Sequence, residues 1–565
     1  MHDPGYHSHG IPIMTRKLVS LCTLLWLAAA PGFAAERNVG YVPEPVPVRS
    51  DLDIAAFYYP GTDQMAEWDM VETTLPQIKP LLGWYDEGNP EVIDWQIKWA
   101  VEHGIGTFFV DWYWDRGERR LEHWVQGFYR ARYRSYLKWA IMWANHNAPG
   151  AHSADDIVAV TRFWIDHYFR TPEYYRIQDK PVVLIWMSEN LDNDFILEAA
   201  TKGETLPKGE GAKRALSLSN QIARDAGLQG IYFIEMFKRP YTKENVQKSK
   251  DQGFRETTTY NFSHVAWWHS KDRETKGTKN HFSFQCVEET VAKSWKEQAD
   301  AGVLPFIPVV PTGWNDQPRS FQKATVIYGR TPELFRSICE QARDFCREYG
   351  IKRIVLGPLN EWQEGSYLEP NEEYGFAMVD AVRDVFCKKP EQGWPANVTP
   401  KELGLGPYDY PPMVHPARTA WDFDGSTEGW YRQPYGAAVL RVRDGCLRLV
   451  TTRDDRTAMR IKIAPFLASE YNSFIVRMRI ASADADGNET TKLYWGTDRS
   501  ALVQDLVLQE DKTATLPAKA DGEFHEYVFS VRDSATWKDR IVELWFDPIS
   551  RKHAVVDIDW MKFSK

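Results

Sequence analysis

The chain has 565 residues, too many for one hydrophobic core, since cores stop growing near roughly 250 to 300 residues, so two domains are expected. Its 43% hydrophobic and 26% charged residues exclude global disorder, and a net charge of -10 argues against a nucleic-acid partner, whose phosphates need clustered Lys and Arg. Aromatic residues make up 14%, with 24 Trp, side chains that fill cores and on which sugar rings also stack.

Met14 opens MTRKLVSLCTLLWLAAAPGFAAE, in which Arg16 and Lys17 precede an apolar run over 18–30 and small Ala34 and Ala35. That is the pattern of a cleaved export leader. Residues 1–35 are therefore expected to be an upstream extension and leader, with 36–52 an N-terminal segment of a periplasmic or extracellular protein. Cys22 lies inside the apolar run, so a lipid anchor on it is not expected, and no later segment approaches the roughly 20 apolar residues of a membrane span. Cys286, Cys339, Cys346, Cys387 and Cys446 lack CxxC spacing, which argues against a disulfide framework or a zinc site.

From 53 to 387 short apolar runs alternate with helical patterns, the signature of parallel strands joined by crossover helices. The strands are expected at 53–60, 106–111, 138–143, 181–186, 230–236, 256–260, 305–310 and 353–359. Helices are expected at 90–104, 120–133, 154–169, 212–227, 243–253, 286–302, 332–350 and 372–386. Eight such pairs predict an α/β fold, a (β/α)8 TIM barrel. A Pro-rich linker follows over 388–416, extended and packed along the barrel. Beyond it, period-two runs at 437–450, 473–481, 491–497, 523–531, 540–548 and 553–563 predict an all-β jelly-roll sandwich over 417–565.

Barrel enzymes carry their chemistry on the loops that leave the C-terminal ends of the strands. That rule selects Tyr58 and Tyr59, then Asp111, Trp112 and Tyr113, then Trp143, Asn145 and His146. Trp186 and Glu189, Glu235, Tyr260 and Asn261, Trp314 and Asn315, and the run Asn360, Glu361, Trp362, Gln363 and Glu364 complete the set. It lacks a nucleophilic Ser or Cys, a phosphate-cradling loop and an HExxH pair, so no catalytic cofactor or metal is expected. Carboxylates walled by aromatics suit glycoside chemistry, which needs one group to protonate the leaving oxygen and another to supply negative charge. Glu361 and Glu364 are the best pair, because a helical turn puts residues three apart on one face. Asp111 is either catalytic or a loop anchor, His146 either a sugar contact or structural, and Glu369 reads as a loop or capping residue.

The stretch LGPLNEWQEGSYLEPNEEYGFAMVDAVRDVF resembles the closing segment of the glycoside hydrolase family 99-like and WbsX-like proteins. IMWANHNA, FRTPEYYRIQDKPVVLIW and PVVPTGWNDQPR resemble three further blocks of that family, in order along the barrel. The resemblance implies a (β/α)8 hydrolase acting with net retention on α-linked, mannose-type glycans. In that scheme Glu361 is the base that deprotonates the substrate's 2-hydroxyl, giving an epoxide-like intermediate, and Glu364 is the general acid and then base. Gln363 stands where mannan-cleaving members carry His, and Asn315-Asp316 reverses the usual Asp-Asn order. Tyr59, Asp111, Trp112, Trp143, Asn145, His146, Trp186, Glu235, Trp314, Asn315 and Asn360 are the expected substrate contacts.

Residues 417–565 resemble the carbohydrate-binding modules that follow exported glycosidases. Trp495, Trp537 and Trp545 are candidates for a glycan face, with Trp545 favoured as core, and Asp422, Asp424, Glu428 and Asp559 are candidates for a structural calcium. The expected partner is a polysaccharide or oligosaccharide. Two alternatives stand beside hydrolysis: a non-catalytic glycan-binding protein and a polysaccharide-biosynthesis factor of the WbsX-like type.

Overall fold

The computed structural model describes residues 40–61, 65–147, 149–238, 240–261, 280–433, 437–452, 458–482, 485–504 and 507–565. The expected leader, with Cys22, lies outside them. Eight parallel strands follow one another around a sheet: β1 Asp53–Tyr58, β2 Thr107–Asp115, β3 Lys138–Trp143, β4 Lys180–Ile185, β5 Tyr232–Met236, β6 Glu256–Thr258, β7 Val309–Val310 and β8 Arg353–Leu356. Their order is 7-8-1-2-3-4-5-6. Amides at Thr257 and Ile307 link β6 to the segment before β7, bonding Pro305 O at 3.0 Å and Thr257 O at 2.9 Å, and so bring the sheet almost to closure. The expected barrel is therefore present.

Strands such as IAAFY and PVVLI are buried on both faces, which is why they read as continuous apolar runs. β6 is short and polar, yet all three of its residues are buried. Its Glu256 is balanced by Arg353 at 3.0 Å. Two of the longer helices escape the sequence pattern, Met65–Thr74 and Ser188–Thr201. The first serves two surfaces: Trp68 and Val71 pack into the barrel core while Met70 belongs to a cluster with Tyr494, Leu502 and Trp545. It therefore lacks one apolar stripe. The segment after the barrel lies along it, with Tyr408 N and Tyr410 N bonded to Leu82 O and Trp84 O.

Two antiparallel sheets form the sandwich. One orders Ala437–Arg443, Cys446–Thr451, Val555–Ser564, Ser473–Ala481 and Asp521–Ser530; the other orders Tyr431–Arg432, Met459–Leu467, Arg540–Asp547, Thr490–Thr497 and Thr513–Pro517. Trp495 and Trp537 are buried between them, against each other and Phe563, which corrects their expected place on a glycan face. Trp545 is buried as favoured, but against the barrel: its ring stacks on Phe321 at 5.9 Å. Glu428 takes Arg418 at 2.6 Å and the Asp422 amide at 3.0 Å, and Asp559 pairs with Arg477; among the described residues no three of the four acids bring ligand atoms to one point.

The sandwich docks on the strand-exit face of the barrel. Asp69, on the helix Met65–Thr74, meets Arg460 at 3.4 Å and also Lys462. Arg441 grips Glu118, on the short strand Glu118–Arg120 that pairs with β2, through contacts of 2.5 and 2.9 Å. No helix among the described residues is long and apolar enough to cross a membrane.

Candidate active site

The run after β8 makes the site. Asn360 and Glu361 pair with Tyr367 and Ser366, and Trp362, Gln363 and Glu364 form one tight helical turn. Three residues complete such a turn, so Glu361 and Glu364 come onto one side. Gly365 closes it at φ 57, where an added Cβ would lie 2.7 to 2.8 Å from atoms of Asn315. Only glycine fits that approach, which lets Asn315 N bond Glu364 O at 2.6 Å.

One guanidinium threads the turn. Arg319 Nη1 donates to Glu364 Oε1 at 2.8 Å and lies 3.6 Å from Glu361 Oε1, while its Nε donates to Gln363 Oε1 at 3.0 Å. Tyr260 OH donates to Glu361 Oε2 at 2.5 Å. Arg319, Glu361 and Glu364 are all at most 5% exposed. Burial opposes the charge on Arg319, but Tyr59, Glu364 and Glu361 outweigh it and hold its pKa up.

Burial raises both carboxyls, Glu364 well above its ordinary range with the charge of Glu361 adding to it. Glu361 rises less, restrained by Arg319, Tyr260 and a hydrogen bond from Glu364. Asp111 is also pushed well up, by burial and then by Glu361, against the pull of Arg319. Asp111 Oδ1 and Asn360 Nδ2 are buried without a hydrogen-bond partner among the described residues. Beside the carboxylate pair, both atoms leave hydrogen-bonding capacity that a ligand group could use.

Around this floor stands a half-exposed aromatic wall. Tyr59 lies over Arg319 at 5.2 Å, and its amide donates to Asn360 Oδ1 at 2.9 Å. Trp186 sits edge-on to Tyr260 at 4.8 Å and 5.3 Å from the His146 ring, which in turn lies 6.3 Å from Tyr113. Trp314 is half-buried on the loop after β7. Asn315 acts through its backbone, and its Oδ1 accepts from Gln317 N at 3.1 Å.

Other expected contacts lie elsewhere. Strand residues alternate faces, so when Asp111 points inward, Trp112 points outward. Trp112 packs on Phe163, Trp164 and Tyr168 and donates to Glu122 at 3.0 Å. Trp143 packs on Trp164 and His152, and Tyr58 donates outward to Gln96 at 2.9 Å. Asn145 exchanges two 2.8 Å bonds with the backbone of Met187, tying one loop to the next. Glu235 accepts from Ser188 at 2.5 Å, outside the cluster, and burial pushes its pKa up to about 7. Glu369 is no exposed cap: it is buried, accepts from Tyr85 OH at 2.6 Å, and is pushed up to about 8 by burial. Arg319 had no role in the sequence reading, because it sits on the turn Gln317–Ser320, well past the end of β7.

Among the described residues one group has metal-ligand spacing, Asp86, Glu87 and His123, apart from the carboxylate pair.

The family model described as Glycosyltransferase WbsX matches residues 67–382. The chain belongs to the WbsX family. Two uncharacterized WxcX proteins from strains of Xanthomonas campestris pv. campestris are each 26% identical to this WbsX chain, over 400 and 395 residues. Those alignments cover 64% and 63% of this chain but 53% of each relative, so the chain spans about half the length of the curated relatives it matches. Among solved structures, an endo-alpha-mannosidase of family GH99 from Bacteroides thetaiotaomicron is 16% identical, covering 59% of this chain and 96% of that one at a TM-score of 0.41. A non-crystalline cellulose specific carbohydrate-binding module, CBM28, is similar over 27% of this chain and 99% of its own, with 16% identity and a TM-score of 0.20.

Proposed function

We propose that this WbsX protein is an exported glycoside hydrolase that cleaves α-linked, mannose-type glycans with net retention, using no catalytic cofactor. The reading is carried by one observation: two buried carboxyls three residues apart, held on a single guanidinium, with burial raising the pKa of both. Glu364 then protonates the leaving oxygen. Glu361 takes the proton of the sugar's own 2-hydroxyl, which attacks the anomeric carbon and expels the aglycone. Water, deprotonated by Glu364, opens the epoxide-like intermediate, while Glu361 returns its proton to the 2-oxygen. Tyr260 and Arg319 steady the Glu361 charge between these steps, and the orphaned Asp111 and Asn360 atoms offer bonds to sugar hydroxyls.

The test compares Glu361→Gln and Glu364→Gln on natural glycans and on aryl glycosides with acidic leaving groups. A lost acid is dispensable when the leaving group needs no proton. Glu364→Gln should therefore lose orders of magnitude on glycans but keep the first step on activated substrates, whereas Glu361→Gln should lose both. Product stereochemistry by NMR should show retention, and inversion would exclude the route.

The family's own description supports a second reading, transfer of the glycosyl unit to a sugar hydroxyl instead of water. The same acid and base would serve it. Incubation with a labelled sugar acceptor distinguishes the two by the product formed.

A further inference from the structure

The strand Val555–Ser564 runs down the middle of one sandwich sheet; the other sheet, through Arg460, Lys462 and Trp545, is the one whose outer face meets the barrel. In the stretch Ile558-Asp559-Trp560-Met561, strict alternation would send Trp560 inward with Ile558, since residues two apart on a strand share a face. The register prevents this. Ile558 pairs with Met478 and Trp560 with Arg477, so Asp559 is one extra residue, a bulge that re-aims the side chains beyond it. Met561 and Phe563 therefore fill the core and Trp560 turns outward, half-exposed, while Trp421, Trp430, Trp495, Trp537 and Trp545 of the same sandwich are buried.

The outer face around Trp560 mixes rings with fixed polar groups. One row across the sheet reads Phe524, Arg479, Asp557, Arg448 and Arg441, each directly opposite the next. Arg477 and Arg479 lie over the half-exposed Phe524 ring at 4.5 and 5.0 Å. Asp557 accepts from Arg448 at 2.5 and 2.7 Å and from Arg479 at 2.8 Å, and Arg477 holds Asp559. Lys562 lies 4.4 Å over the Trp560 ring, on a long stem that a stacking ligand can displace. A lipid or apolar protein surface would strip water from this ladder of charges without replacing it. A sugar chain would not, because its C–H faces suit the rings while its hydroxyls bond guanidinium N–H groups and carboxylate oxygens. Trp560 and Phe524 stand on strands two apart, about 10 Å across the sheet, so the ligand they share is a chain and not one sugar. The row ends at Arg441, whose contacts of 2.5 and 2.9 Å with Glu118 carry the face onto the hairpin that leaves β2, at the barrel's strand-exit rim.

We propose that this face is a polysaccharide-docking surface separate from the carboxylate pair, on which Trp560 and Phe524 stack pyranose rings of a neutral chain and Arg477 and Arg479 bond its hydroxyls. The guanidiniums of the face already have acids beside them, so recognition needs no charge on the chain. The surface does not depend on what Glu361 and Glu364 do. Its test therefore reads binding, not turnover.

The full chain is titrated with soluble mannan, dextran, xylan and hydroxyethyl cellulose by calorimetry and affinity electrophoresis, and at least one of them should bind. Trp560→Ala should weaken that binding tenfold or more, and Trp560→Tyr, which keeps a ring, should restore part of it. Phe524→Ala, on another strand, should weaken it severalfold, and it reads the same surface if Trp560→Ala does not fold. Leu403→Ala, an exposed apolar position on the short helix Pro400–Leu403 outside the sandwich, should leave binding intact. Binding of no probe, binding untouched by both sandwich alanines, or Trp560→Tyr binding no better than Trp560→Ala would overturn the surface. Failure of the hydrolase reading would show separately, as turnover by the parent chain that Glu364→Gln does not change, and would leave these titrations as they are.

Discussion

Arg319 decides how many charges the site can hold. Asp111, Glu361 and Glu364 are three buried acids facing one buried guanidinium, so burial and their mutual repulsion raise all three pKa values while Arg319 opposes the rise. Replacing Arg319 with Lys keeps a charge but loses the fork that reaches Glu364 and Gln363 together. We expect kcat/KM to fall on the order of 10²-fold, the scale of one lost electrostatic contact in a closed site. Because Arg319 lowers the pKa of Glu361, its weakening should also move the acid limb of the kcat/KM profile to higher pH. A drop with an unmoved limb would mean that Arg319 only shapes the loop.

Glu235 and Glu369 set a different pH dependence, in stability. Their folded values, about 7 and about 8, lie above the ordinary 4.5, so between pH 4.5 and 8 the folded chain binds more protons than the unfolded one. Stability from these two groups is complete below about pH 4.5 and falls as pH rises through 7 and 8. Each unit of elevation corresponds to about 1.4 kcal/mol, so the fall is a few kcal/mol for each group. Glu369→Gln should flatten the upper part of a melting-temperature curve against pH. An unchanged slope between pH 6 and 9 would place the titrating group elsewhere.

At the scale of elements, the turn that carries Glu361 and Glu364 is braced from behind. Trp362 stacks on Tyr367 at 4.6 Å and donates to Tyr85 OH at 3.2 Å, and Tyr85 in turn donates to Glu369. Tyr85→Phe removes one hydroxyl that serves three partners, Gln96 being the third, and leaves Glu369 short of a donor, a loss of about 1 to 3 kcal/mol. Denaturant midpoints should fall accordingly, and kcat should fall with them because Glu361 and Glu364 flank Trp362; an unchanged kcat would show that the turn holds its shape alone. The barrel itself was legible because runs such as IAAFY and PVVLI can only be strands buried on both faces. Glu361 and Glu364 were legible as the polar exit of the last of them. The inward face of each strand was not: DWYW and KWAIMW place indoles on both sides, and only the register shows Asp111 and Tyr113 turned in while Trp112 and Trp143 meet helices. Arg319 was hidden because a turn carries it back to the site from a position that no strand-end rule reaches.

Across the whole molecule, the sandwich behaves as part of the barrel's working face and not as a module on a tether. Arg460 is 1% exposed, yet it sits among groups from both domains: Asp69 at 3.4 Å, the Tyr431 ring at 4.9 Å, the Trp545 ring at 5.8 Å and Met70. A buried cation of this kind is tolerated only while its partner stands opposite, and removing that partner costs about 3 to 5 kcal/mol. Asp69→Ala should therefore lower stability by that order, and the loss should be felt in both domains, because the helix Met65–Thr74 that carries Asp69 also packs Trp68 into the barrel core beside Trp362, at 6.3 Å. Calorimetry of the parent chain should give one transition that moves down intact in the variant, with a parallel loss of kcat/KM through the Trp362 turn. Two transitions, with the sandwich melting alone and activity unchanged, would show that the two cores are energetically separate and that the interface is contact without coupling.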